Sequence, residues 1–178
     1  RSVPIRYSFC AYPYSNYLSQ IEAAKNKICL DVVDLLLREK TETRNAGKIL
    51  IFVGTRAGAE DLAMTLRESL KCNATFLHAG LSQLERRRRI KEFNEGDIDV
   101  LVATTALAWG VNLAARAVII RDIFVANKHE VDIIGIKQML GRAGRKGKES
   151  VGYGIILVPT HMKSQVEKML IEGKDIES

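Results

Sequence analysis

The sequence predicts one α/β domain: an open, mainly parallel sheet with helices on both faces. Three observations carry that expectation. Short, continuous, β-branched apolar runs recur at 48–53 (KILIFV), 74–77 (ATFL), 98–103 (IDVLVA), 117–120 (AVII) and 154–158 (GIILV), as strands buried on both faces require. Between them lie longer segments whose apolar residues return at helical spacing. Alternation of this kind favours parallel strands joined by right-handed crossovers. The length, 178 residues, suits a single domain with a proper core.

Taken in order, residues 1–15 lack a helical period and are expected to be a connection from a preceding domain, leaving 16–178 as the domain proper. A helix is expected over 18–38, with Ile21, Ile28, Val32 and Leu36 at helical spacing, and another over 57–70, with Leu62, Leu66 and Leu70 on one side. Ser82 and Glu85 form an S-x-x-E capping box that should open a helix running to about Asn94. Further helices are expected over 132–141 and 161–172. Polar connections fall at 40–47 and 122–130. No internal repeat or low-complexity segment is visible.

Composition narrows the function classes. Hydrophobic residues make up 47% and charged residues 27%, ordinary for a globular domain. A net charge of +6 favours a polyanionic partner through steering and counterion release. The three cysteines, Cys10, Cys29 and Cys72, show no CxxC or Cys/His spacing. They read as small buried hydrophobes of an intracellular, reducing compartment, and no metal site is expected. No stretch reaches the roughly 18 apolar residues of a membrane span, so no membrane partner is expected, and no signal-peptide pattern opens the chain. The chain starts on Arg1 instead of Met, and a segment of a longer protein is expected.

Four stretches carry candidate chemistry. In QMLGRAGR, Gln138, Arg142 and Arg145 fall at i, i+4 and i+7, one face if the helix continues. Gly141 and Gly144 would remove bulk beside two guanidiniums, whose planar, permanently charged forks suit a triphosphate. A solvated basic turn ending the helix is the plainer alternative. In ATTALAWGVNL, following a strand, Thr104 could donate to a phosphate, Gly110 offers bare backbone, and Asn112 could hydrogen-bond a ribose hydroxyl. Thr104 could equally be an N-cap, Gly110 a turn residue and Asn112 a local backbone binder; Trp109 is expected to be packing material. In HAGLSQLER, Gly80 lets a backbone pass close, and the helix opened by Ser82 is a natural anion site. Arg86 shares a helical side with Ile90 and Phe93 and should lie at the margin of the buried face, whereas the run 86–89 cannot all face one surface. His78 is expected to be a satisfied loop histidine. In FVGTR, Thr55 and Arg56 close a strand and open a helix, placed to grip a nucleic-acid phosphate, with an N-cap role for Thr55 compatible.

Absences are equally pointed. No G-x-x-x-x-G-K-[ST] phosphate loop occurs; Gly141 to Lys148 has the wrong spacing. There is no acidic D-E-x-[DH] cluster for magnesium, and no G-x-G-x-x-G follows a strand. The chain has arginines suited to a triphosphate and no pocket to hold one.

The ordered stretches 52–56, 78–86, 103–113 and 138–145 resemble motifs IV, IVa, V and VI of superfamily-two helicases. QMLGRAGR with LAWGVNL resembles the Ski-like DExH group, which includes exosome-associated, spliceosomal and archaeal repair helicases. Two positions depart from the pattern: Ala106, where threonine is usual, and Ala114, where proline is usual. The resemblance implies a second RecA-like domain closing over ATP and Mg2+ held mainly by a first RecA-like domain of the same protein. It implies arginine-finger roles for Arg142 and Arg145, a bridging role for Gln138, and contacts to nucleotide and inter-domain seam for Gly110 and Asn112. It further implies that Thr55, Arg56, Gly80, Arg86 and Thr104 hold the backbone of an RNA or DNA strand, and it allows for a larger complex. Residues 121–131 occupy the place of a strand-separating hairpin, with Phe124 as a candidate stacking tip. A nucleic-acid-binding module without nucleotide chemistry and a helicase-like docking scaffold are the competing classes.

Overall fold

The computed structural model describes residues 3–39, 47–126 and 128–177, with side chains through Glu172. The expected connection at 40–47 therefore lies, apart from Gly47, outside the described residues. Six strands form one sheet: β1 (Ile5–Tyr12), β2 (Ile49–Val53), β3 (Ala74–Leu77), β4 (Val100–Thr104), β5 (Ala117–Ile120) and β6 (Gly152–Pro159). Their order is β1-β6-β5-β2-β4-β3, and every pairing is parallel.

Strand β2 shows why the apolar runs are continuous. All five of its residues are buried, and they alternate between two cores. Leu50 and Phe52 join one with Phe93, Ile136, Met139 and Val166. Ile49, Ile51 and Val53 join the other with Cys29, Val33, Leu62 and Leu66. The first core lies under α3 (Gln83–Glu95), α4 (Ile133–Leu140) and α5 (Lys163–Glu177); the second lies under α1 (Leu18–Arg38) and α2 (Arg56–Leu70). Helices thus cover both faces. Each large aliphatic side chain buried in this way contributes about 1.5–3 kcal/mol.

Two expectations need correction. The stretch 1–15 is not merely a connection: Ile5–Tyr12 is the edge strand, in register with β6 from Ile5 opposite Gly152 to Tyr12 opposite Pro159. It escaped the pattern because an edge strand has one neighbour, and here Arg6, Tyr7 and Ser8 are exposed, so no buried period is imposed. The second concerns the late helix. α4 ends at Leu140 with Gly141 as its C-cap, and Gly144 takes a left-handed φ of 85°. Arg142 and Arg145 therefore do not share a helical face with Gln138.

The starts of α2, α3 and α4 are capped by their own side chains. Thr55 Oγ1 accepts from Gly58 N at 3.0 Å, Ser82 Oγ from Glu85 N at 3.1 Å, and Asp132 Oδ1 from Gly135 N at 2.9 Å. Each satisfies one of the amides that a helix start leaves without an internal partner. The Glu85 carboxylate is engaged by Arg88 and Arg89.

Candidate functional site

The predicted residues fall into two groups. The first sits where β2, β3 and β4 end. Thr55 and Arg56 follow β2, His78–Gly80 follows β3, and Thr104 ends β4. The loops meet: a Cβ on Gly80 would stand 3.2 Å from Arg56 Nη1 and 2.9 Å from His78 Cε1. The glycine is thus required by His78, which is buried and binds the loop. His78 Nδ1 accepts from Gly80 N at 3.0 Å, which leaves Nε2 to donate to Glu60 Oε2 at 2.8 Å. Half-buried Arg86 spends Nη1 on the carbonyls of Ala79 (3.1 Å) and Leu81 (2.7 Å). It holds the loop while its Nε and Nη2 have no bond among those described. Arg89 turns inward onto Phe76, whereas Arg87 and Arg88 are exposed, so the arginine run divides as helical rotation demands. Thr55 and Arg56 are exposed.

Thr104 departs from expectation. It is only 6% exposed and makes no side-chain cap bond to the following 3₁₀ turn. The residue is recessed because Thr104 completes β4 opposite Val53.

A residue cluster invisible to motif reading pins this edge from beneath. Asp122 Oδ2 accepts from Gly54 N at 2.6 Å and from Arg121 Nη2 at 2.9 Å, while Oδ1 accepts from Lys25 Nζ at 2.7 Å. Burial pushes the Asp122 carboxyl up, but the Arg121 and Lys25 charges outweigh it and hold it below the usual carboxylate value. Its only sequence signal is a charged pair directly after the apolar run AVII. Beyond it, Phe124 bridges Val131 in antiparallel sense, and Val125 N donates to Glu130 O at 2.8 Å, the base of a short hairpin. Phe124 stands at that base and packs on the core, so it is not the stacking tip; Asn127 lies outside the described residues.

The second group lies along the α4 face. After β4 the chain makes a 3₁₀ turn (Thr105–Trp109). It then returns toward the start of β5, anchored by the buried Ala108, Leu113 and Ala115. Trp109, Gly110 and Asn112 are left outside. Trp109 is 58% exposed and is not packing material in this domain. A Cβ on Gly110 would meet nothing within 4 Å, and its φ of −124° suits any residue. Nothing within the domain requires glycine there. Asn112 is exposed, and its carbonyl accepts Asn94 Nδ2 at 3.3 Å.

The arginine-bearing segment is laced to this return. Ala115 N donates to Arg142 O at 3.0 Å, and Gly144 N donates to Ala115 O at 2.7 Å. Arg142 Nη2 donates to Ala108 O at 2.6 Å, which fixes that side chain on the loop bearing Gly110 and Asn112. Gln138 is half-buried one turn earlier, on α4. Gly144 is demanded by its left-handed φ and by Val3, whose Cγ1 would lie 2.7 Å from an added Cβ, not by access to the arginines. Gly141 has only ordinary contact distances. Arg145 is not projected into open space: Glu149 clasps it, and both side chains are 11% exposed. That acidic partner, four residues on, was missed by motif reading.

Arg142, Gln138, Gly110 and Asn112 thus lie on neighbouring segments and are at least partly exposed, while Arg145 beside them is turned onto Glu149. Among the described residues, no group of three His, Cys, Asp or Glu is assembled that could hold a metal ion.

Comparisons with known proteins bear on the family and the fold. Residues 25–147 match the helicase conserved C-terminal domain. The ATP-dependent DNA helicase Hel308 of Thermoplasma volcanium is 34% identical over 83% of this chain and 27% of its own length. Activating signal cointegrator 1 complex subunit 3 of Rattus norvegicus is 31% identical over 93% of this chain and 8% of its own. The chain thus spans about a quarter or less of these relatives. Its fold matches the C-terminal domain of the DEAD-box protein Dbp5 with a TM-score of 0.73, at 24% identity, covering 96% of this chain and 84% of that one. With the parallel sheet in place and 25–147 matched, the chain belongs to the helicase conserved C-terminal domain family.

Proposed function

We propose that this chain works as the second RecA-like domain of an ATP-dependent RNA or DNA helicase, closing over ATP and Mg2+ held mainly by a preceding RecA-like domain of the same protein. The observation that carries the reading is the lacing of 108–115 to 142–144. It sets Arg142, Gly110 and Asn112 on adjoining segments, with Gln138 and Arg145 at either end of the second. Bound ATP would supply the phosphoanhydride whose cleavage drives the cycle. Arg142 and Arg145 offer planar, permanently charged donors to the phosphoryl oxygens on which charge spreads in the transition state. Gln138 bridges toward the same group, Gly110 admits a close backbone approach, and Asn112 hydrogen-bonds the ribose. Once the γ-phosphate leaves, the arginines lose the anion that draws the two domains together, and the cleft reopens.

Thr55, Arg56, Gly80 and Arg86 grip the sugar-phosphate backbone of one strand at the carboxyl edge of the sheet. Thr104, at the carboxyl end of β4 beside them, is the most recessed member of this set. The +6 charge supports a polyanionic partner, and the Thermoplasma relative's name supports ATP and nucleic acid. The cointegrator relative, named as a complex subunit, supports protein partners in a larger assembly. Three free cysteines suit an intracellular setting, and no described helix is long and apolar enough to cross a membrane.

The experiment is ATP hydrolysis by the full-length protein with and without single-stranded RNA or DNA. Turnover stimulated by one of the strands is expected. Absence of any ATP hydrolysis would contradict the proposal and favour a binding or docking domain.

A further inference from the structure

We propose that Glu149 is a positioning residue for Arg145, clasping one edge of its guanidinium so that the opposite edge is presented to phosphate. The inference rests on the finger role proposed for Arg145. The local chain brings the two residues together. Gly147 takes a left-handed φ of 83°, and the amides of Lys148 and Glu149 both donate to Arg145 O at 3.0 Å. This closed turn carries the fourth residue after Arg145 back onto it.

The contact is complete on one side. Glu149 Oε1 accepts from Arg145 N at 2.9 Å and from Nε at 2.9 Å. Oε2 accepts from Nη2 at 2.6 Å and from Nε at 3.1 Å. A guanidinium has five N–H donors. The carboxylate uses Nε–H and one hydrogen of Nη2. The second Nη2 hydrogen and the Nη1 hydrogen parallel to it remain along another edge, the pair of donors that matches two oxygens of one phosphate. Glu149 therefore does not compete for the phosphate-binding edge.

Burial pushes the Glu149 carboxyl up, but the hydrogen bonds and charge of Arg145 outweigh it and keep it below the usual value. The carboxylate is thus ionised at neutral pH, as a clasp for guanidinium requires. Each arginine in this reading has one anchor and one working edge. Arg142 is anchored by the Ala108 carbonyl, and Arg145 by Glu149. A finger that must find its orientation at each cycle loses the advantage of preorganisation, and misplacement by about 1 Å can cost on the order of 10²-fold in rate.

The test is steady-state ATP hydrolysis by the full-length protein carrying Glu149→Ala, Glu149→Gln, Glu149→Asp, Arg145→Ala and the Arg145→Ala/Glu149→Ala pair. Glu149→Ala is expected to lower kcat about 10–100-fold while the KM for ATP changes less than about threefold, since orientation matters most in the transition state. Glu149→Gln, which keeps an acceptor but loses the charge, should fall between Glu149→Ala and wild type, and Glu149→Asp should recover part of the loss. In the Arg145→Ala background, Glu149→Ala should add no further loss. An additional loss there would mean a structural role and overturn the proposal. Raised basal turnover in Glu149→Ala would do the same, by marking the clasp as a restraint. Unchanged kcat in Glu149→Ala with an inactive Arg145→Ala removes only the positioning role; an active Arg145→Ala removes the finger assignment itself. Thermal unfolding of each variant separates these outcomes from misfolding: a Glu149→Ala rate loss matched by unfolding at the assay temperature counts against the proposal.

Discussion

Replacing Asp122 with alanine should be among the costliest single changes in this domain, although no motif contains it. Its carboxylate neutralises Arg121, 2% exposed, and Lys25, 9% exposed, and accepts the Gly54 amide at 2.6 Å. Removal leaves two buried cations facing each other with Glu22 alone, 2.7 Å from Arg121 Nη1 and 3.8 Å from Lys25 Nζ. Breaking a buried ion pair by deleting one partner costs about 3–5 kcal/mol. For a chain of this size that corresponds to a melting point lower by about 6–20 °C. Urea unfolding of the 178-residue chain, followed by circular dichroism at pH 7, measures it. The pH dependence follows from the depressed folded-state pKa. Such a group contributes its stability above the ordinary aspartate value of about 3.9 and loses it as pH falls through the lower folded value. The gap between wild type and Asp122→Ala should therefore be full at pH 7 and shrink below about pH 4. A loss under about 1 kcal/mol at pH 7, set against the range for buried pairs, would refute the reasoning.

Other expectations are simpler. Trp109→Ala should leave unfolding free energy within about 0.5 kcal/mol of wild type, because the side chain is exposed; a loss several times larger would mean that the indole packs within the domain. Gly144→Ala should destabilise by about 1–2 kcal/mol, the cost of a left-handed L-residue, with more from the contact at Val3; an unchanged denaturant midpoint would contradict the backbone geometry.

The central sheet was legible because burial on both faces leaves a plain record. Val102 and Ile119 must be apolar on one side, Leu101 and Ile120 on the other, and no polar residue fits between them. Strand β1 was not legible, since pairing on one edge tolerates Arg6 and Ser8 in solvent. The catalytic-looking motifs were legible as residue types but not as geometry. Gln138 and the two arginines suggested a common helical face, yet Gly141 ends the helix and Gly144 reverses the backbone, decisions made by φ angles that spacing alone does not reveal. Thr104 and Trp109 exchanged their expected places for a related reason. The 3₁₀ turn sends Ala108 inward and Trp109 out, while strand pairing takes Thr104 into the sheet. The partners Glu149 and Asp122 lay outside every motif, because an anchor is recognised by what it touches.

The division of labour itself is tested by comparing Arg142→Ala and Arg145→Ala in the full-length protein for ATP turnover and for affinity toward a single strand. Each variant is expected to lose on the order of 10³-fold in turnover while strand affinity stays within a few-fold of wild type. Near-normal hydrolysis in both variants would contradict it.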